Sequence, residues 1–151
     1  MPTLVRAPFA GRVIAPEDVP DPVFAQSIVG AGLALDPVGD ADVAVLAPCD
    51  GRIVKIHPHA VVVAVGAHAV LVHLGLDTVE LHGEGFTVLA GDGDEVAAGG
   101  HLLTWSPAAV RAGGRSAVSP VVAMQADAAA LEARVAPGDT VDAGALMFTW
   151  P

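Results

Sequence analysis

A chain of 151 residues has the length to bury one substantial core, and a single domain over 1–151 is expected. Its 53% hydrophobic content is broken by 17 Gly and 12 Pro, so no apolar run approaches the ~20 residues of a membrane-spanning helix. With no such run, no direct membrane insertion is expected; seven Lys plus Arg against 17 Asp plus Glu leave a formal charge of -10, which repels nucleic acid and an anionic membrane surface alike and favours a partner with a basic rim.

The first segment, Met1 to Pro8, lacks a basic stretch followed by an apolar one, so no secretory signal is read and a cytoplasmic location is expected. No amphipathic tail is expected ahead of the first strand. Ala7-Pro8-Phe9-Ala10-Gly11-Arg12-Val13-Ile14 sets a Gly turn before a β-branched strand, and the device returns as Ala47-Pro48-Cys49-Asp50-Gly51-Arg52-Ile53-Val54. Cys49 is the only cysteine; it reads as a small half-buried hydrophobe in a reducing compartment.

His59-Ala60-Val61-Val62-Val63-Ala64-Val65 reads as a strand that turns at Gly66-Ala67-His68, with His68 capping the turn, into a return strand carrying His73. Gly93 to Trp105 then recurs as Gly138 to Trp150, each copy placing a Gly bend before a short apolar strand. Two helices are expected, over Pro107–Arg111 and over Asp127–Arg134, the second with Asp127 as N-cap. Short strands between frequent turns make the fold all-β, an antiparallel β-sandwich or flattened barrel of internally repeated hairpin units with minor short helices.

His73 interrupts an otherwise apolar strand, and a carboxylate, Asp77, follows four places on. Side chains alternate across a strand, and directly opposed residues bring their Cβ atoms roughly 4.5 to 5.5 Å apart. The midpoint between positions 59 and 73 is 66, inside the turn, so His59 and His73 are expected as opposite neighbours. Imidazole titrates near ~6.5, so at neutrality one ring can act as nucleophile while the other donates a hydrogen bond. Such a pair has the equipment to move a phosphoryl group.

A duplicated β unit also describes biotinyl and lipoyl carriers, which modify a lysine at a hairpin tip. The only lysine here, Lys55, lies inside a strand, and Gln125 stands where a biotin acceptor would be. The chain instead resembles the glucose-type IIA component of the bacterial phosphoenolpyruvate-dependent sugar phosphotransferase system. The resemblance rests on Val19 to Ala25, Ile28 to Leu35, Ala47 to Gly51, His59-Ala60, His73-Leu74-Gly75-Leu76-Asp77-Thr78-Val79-Glu80-Leu81 and Gly83-Glu84-Gly85-Phe86.

That resemblance implies an antiparallel β-sandwich in which His73 takes phosphate on Nε2 from the carrier protein HPr and passes it to a cysteine of the IIB domain of a sugar permease. It implies His59 as the stabilising partner and the Gly75 carbonyl as the acceptor for Nδ1 of His73. Asp21, Asp77 and Thr78 take supporting places, and Phe24, Leu71 and Val79 belong to the rim that receives partners, among them regulated permeases or metabolic enzymes. No resident cofactor is implied. The segment before His59 departs from the family: it is shorter, and His57-Pro58 stands where a Thr is usual beside the supporting histidine.

Two rivals come from the residues themselves. His57, His59, His73 and Asp77 would make the ligand set of a zinc hydrolase, although zinc peptidases of related architecture carry such motifs in the opposite chain order. A weaker metal site on His59 and His73 would need a partner's carboxylate. The other rival is a non-catalytic regulatory binding protein, for which phosphorylation is only a switch of docking.

Overall fold

The computed structural model describes residues 2–151. In chain order its elements are β1 (Thr3–Arg6), β2 (Gly11–Ile14), α1 (Pro22–Ala25), β3 (Gly30–Pro37), β4 (Val43–Leu46), β5 (Gly51–His57), β6 (Ala60–Val65) and β7 (His68–His73). There follow β8 (Phe86–Val88), β9 (Glu95–Val96), β10 (His101–Trp105), α2 (Pro107–Ala112), β11 (Ser119–Met124), β12 (Glu132–Ala133), β13 (Thr140–Val141) and β14 (Leu146–Trp150). An eight-stranded sheet runs β13-β2-β3-β11-β7-β6-β5-β9, and two three-stranded sheets run β1-β14-β12 and β4-β10-β8. All these pairings are antiparallel. The large sheet stays open from β13 to β9, so the architecture is the sandwich and not a closed barrel.

One buried cluster takes residues from Val5 to Trp150, with Trp105, Phe9 and Phe148 its largest fully buried side chains. Alternation along β1 and β2 supplies it: Val5 and Val13 face inward while Leu4 and Arg12 face solvent. The two repeated devices become a pseudo-symmetric frame. Arg6 N–H donates to the Pro8 counterpart, the carbonyl of Pro48, at 2.7 Å, and Leu46 N–H donates to the Pro8 carbonyl at 2.8 Å. Likewise Val13 bonds the backbone of Asp139 and Ile53 that of Asp94, while each aspartate caps its own turn, on Ala136 N and Gly91 N.

Four expectations change. Asp127–Arg134 is not a helix: a single 3₁₀ turn spans Ala128–Ala130, Asp127 makes no side-chain cap, and Glu132–Ala133 extends to pair with β14. The sheet edge overrides the helix propensity of the alanines. An unforeseen helix, α1, starts where Asp21 caps Val23 N and Pro22 takes the first helical position. His68 does not cap the turn; it opens β7, stacks on Trp150 with ring centroids 3.6 Å apart, and bonds Thr3 Oγ1 through Nδ1 at 3.0 Å. The fourth is the register of the hairpin that carries the histidines.

Candidate functional site

The β6–β7 hairpin pairs Val65 with His68, leaving Gly66 and Ala67 as a two-residue turn. Gly66 has φ +58°, the left-handed conformation that the first central position of a tight hairpin demands. This register puts Ala60, not His59, opposite His73. The expected direct opposition is therefore off by one residue. Taken alone, that slip would send His59 to the far face. It does not, because His59 is outside the strand: His57 pairs with Ala60, so Pro58 and His59 form the turn between β5 and β6. Freed from strand alternation, the His59 ring reaches His73 with centroids 5.5 Å apart and planes at 69°. Its carbonyl accepts from Leu74 N at 2.8 Å, fixing the turn to the end of β7.

His73 is half-buried between this ring and that of Phe24, whose centroid is 5.2 Å away. Nδ1 lies 2.7 Å from the Gly75 carbonyl oxygen, which can only accept, so Nδ1 bears the proton and Nε2 keeps its lone pair. Burial lowers the pKa of His73, opposed by the Gly75 carbonyl and then by the charges of Asp21 and Asp77. His59 is lowered too, first by burial, then by His73 and His57. Both shifts favour the uncharged rings at neutral pH, with the Nε2 lone pair of His73 left free.

The loop after His73 is held tightly. Gly75 is buried with φ +72°, and a Cβ there would meet Thr78 Cγ2 at 2.8 Å and the Ser116 carbonyl oxygen at 2.9 Å. Thr78 Oγ1 donates to the Leu74 carbonyl at 2.7 Å, and Leu76 N–H to that of Ser116 at 3.0 Å. Gly75 N–H donates to Ser119 Oγ at 3.1 Å, and that hydroxyl donates in turn to the Ala117 carbonyl. Ser119, fully buried, is a positioning residue that sequence reasoning missed. Its one signal was a hydroxyl opening an apolar strand ahead of Pro120.

Of the remaining residues singled out, Asp21 caps α1 and thereby fixes Phe24 beside His73. Asp77 is exposed in a left-handed conformation at φ +57°. Leu71 shares the outward face of β7 with His73, and Val79 stands exposed on the 3₁₀ turn that follows Asp77. The zinc hydrolase set does not assemble: among the described residues no three His, Cys, Asp or Glu side chains gather at metal-ligand spacing. His57 and His59 instead stack with nearly parallel rings, 5.5 Å between centroids and 20° between planes. Cys49 is buried with its pKa pushed up to about 12, by burial first and then by Asp50, so its thiol stays protonated.

Residues 3–129 match the family model described as phosphoenolpyruvate-dependent sugar phosphotransferase system, EIIA 1. A PTS system glucose-specific EIIA component from Halalkalibacterium halodurans is 40% identical over 140 residues, covering 91% of this chain and 79% of that protein. One from Staphylococcus aureus is 39% identical over 129 residues, 83% of this chain and 76% of that one. The solved structure of glucose permease IIA from Mycoplasma capricolum superposes with a TM-score of 0.86 at 28% identity, covering 99% of this chain and 96% of that one.

Proposed function

The chain belongs to the EIIA 1 family of the phosphoenolpyruvate-dependent sugar phosphotransferase system, and on that premise we propose that His73 is its phosphoryl acceptor, loaded by phospho-HPr and discharged to a cysteine of a permease IIB domain. The observation that carries this reading is the 2.7 Å bond from Nδ1 of His73 to the Gly75 carbonyl, which leaves Nε2 as the nucleophile.

Phosphoryl transfer asks a protein chiefly for in-line positioning and for stabilisation of charge on the transferring oxygens. In the loading step the Nε2–P bond forms as the donor's N–P bond breaks, and the donor imidazole leaves with that electron pair. In the discharge step an S–P bond to the IIB thiolate forms as Nε2–P breaks. His59, 5.5 Å away ring to ring, donates an N–H to a phosphoryl oxygen in both steps. This donation strengthens once a docked protein excludes water. Asp21 and Asp77 repel the dianion, which keeps phospho-His73 reactive, and they pair with basic groups on the donor. Phe24, Leu71 and Val79 form the apolar rim of the docking face. We read the place of action as the cytoplasm; no described helix is long and apolar enough to cross a membrane.

Incubation with enzyme I, HPr and radiolabelled phosphoenolpyruvate, followed by a chase with a purified IIB domain, tests the reading. Wild type is expected to take the label and pass it on, and His73→Ala to take none while keeping its fold. His59→Gln retains a hydrogen-bond donor but not a titratable ring, so it is expected to load and then discharge at least roughly tenfold more slowly. Label on His73→Ala refutes the assignment. Loading of wild type with no discharge to any IIB domain makes the protein the phosphorylation-switched regulator instead.

A further inference from the structure

His57 ends β5, and its pairing with Ala60 leaves a turn of only Pro58 and His59. So short a connection brings few groups to the His59 imidazole. Proline offers no donor, and among the described residues no hydrogen bond reaches either ring nitrogen of His59. The ring's torsion about its last bond is broad and roughly two-fold when nothing else fixes it. Rotation of the ring plane about that bond would carry the donating N–H away from His73. What limits the ring is its two aromatic walls: His73 edge-on at 5.5 Å and 69°, and His57 nearly parallel at 5.5 Å and 20°.

Resting on the phosphocarrier reading above, we propose that His57 is the positioning residue of His59, its stacked ring holding the His59 plane so that one N–H stays aimed at the phosphoryl group on His73. Stacking here does the orienting that a hydrogen bond to the second ring nitrogen commonly does for an active-site histidine. The contact is also electrostatic: charge on His57 opposes charge on His59, in the same direction as burial and His73. His57 is itself exposed, so a partner's surface would complete the outer side of the stack.

The test compares His57→Ala and His57→Phe with wild type in steady-state discharge to a purified IIB domain, and follows the His59 ring by NMR titration of the unphosphorylated proteins. Removing the wall is expected to lower kcat for discharge roughly tenfold at unchanged KM, as a misaimed group does. It is also expected to let His59 titrate at higher pH. Phenylalanine restores a flat wall, so its kcat should return to within roughly twofold of wild type. Discharge by His57→Ala at the wild-type rate overturns the proposal, and so does a phenylalanine variant as slow as the alanine one. A loss confined to KM makes His57 a docking residue and also overturns it. If wild type itself takes no phosphate, the phosphocarrier reading fails. The titration still tests the contact: both variants remove the His57 charge, so a shift of His59 to higher pH in His57→Ala and His57→Phe alike supports it, and an unmoved His59 refutes it.

Discussion

His73 must combine a free lone pair with a fixed tautomer, and two opposing effects set its charge. Burial removes solvent from the cationic form, while the Gly75 carbonyl, Asp21 and Asp77 favour it; burial wins, and the pKa is lowered. Lowered values on His59 and His73 also make stability depend on pH. Between the folded value and the ordinary imidazole value of about 6.5, the unfolded chain binds more protons than the folded one, so stability rises with pH through that window. The contribution is complete above about 6.5 and is lost as the pH falls toward the folded values. The melting temperature is therefore expected to fall on acidification from neutrality, and to fall less in a His59→Gln, His73→Gln double variant; equal losses would show that these rings are not the source. The identity of both histidines was legible as polar residues in apolar surroundings. Their register was not. Whether a turn closes on two residues or three depends on the conformations of Gly66 and Pro58, and the pattern of the strands does not encode those.

Among the elements, α1 bears most directly on the site although it is a single turn. The Asp21 carboxylate accepts from Val23 N at 2.9 Å, and the turn it caps sets Phe24 against His73. Asp21 thus has two separable jobs. Asn caps about as well as Asp, so Asp21→Asn is expected to keep the melting temperature while lowering the pKa of His73 further, because one of the charges that raise it is gone. Asp21→Ala removes the cap as well and is expected to lower stability by about 0.5–2 kcal/mol. Chemical denaturation and NMR titration of His73 check the pair; equal stability of the two variants would show that the cap contributes nothing. This helix was readable in principle, since Asp21-Pro22 is the same cap-then-proline signal as Ser106-Pro107, which marks α2. Residues 127–134 mislead in the other direction: alanine favours helix locally, but an open edge of β14 was available to Glu132 and Ala133. A local signal cannot weigh such a distant partner.

For the whole molecule, the repeats were legible because turn chemistry is local: the Ala-Pro before a Gly turn and the Gly bend before a Trp-ended strand each appear twice. How the copies meet was not, since β1 pairs with β14 across nearly the whole chain and β4 with β10 across more than a third of it. Charge also acts at this scale. A formal charge of -10 gives long-range attraction to a basic partner, and such steering acts mainly on the association rate and is screened by salt. Raising ionic strength roughly tenfold is expected to slow association with HPr more than it changes dissociation. Stopped-flow rates that do not respond to salt would leave the apolar rim as the whole of recognition. The central claim is more specific, that Nε2 of His73 carries the phosphoryl group while Nδ1 stays bonded to the Gly75 carbonyl. Long-range proton–nitrogen NMR correlation of the protein phosphorylated through enzyme I and HPr tests it most directly. Phosphorus is predicted on Nε2 of His73 with Nδ1 protonated, and a phosphoryl group found on Nδ1, or on the ring of His57 or His59, would contradict it.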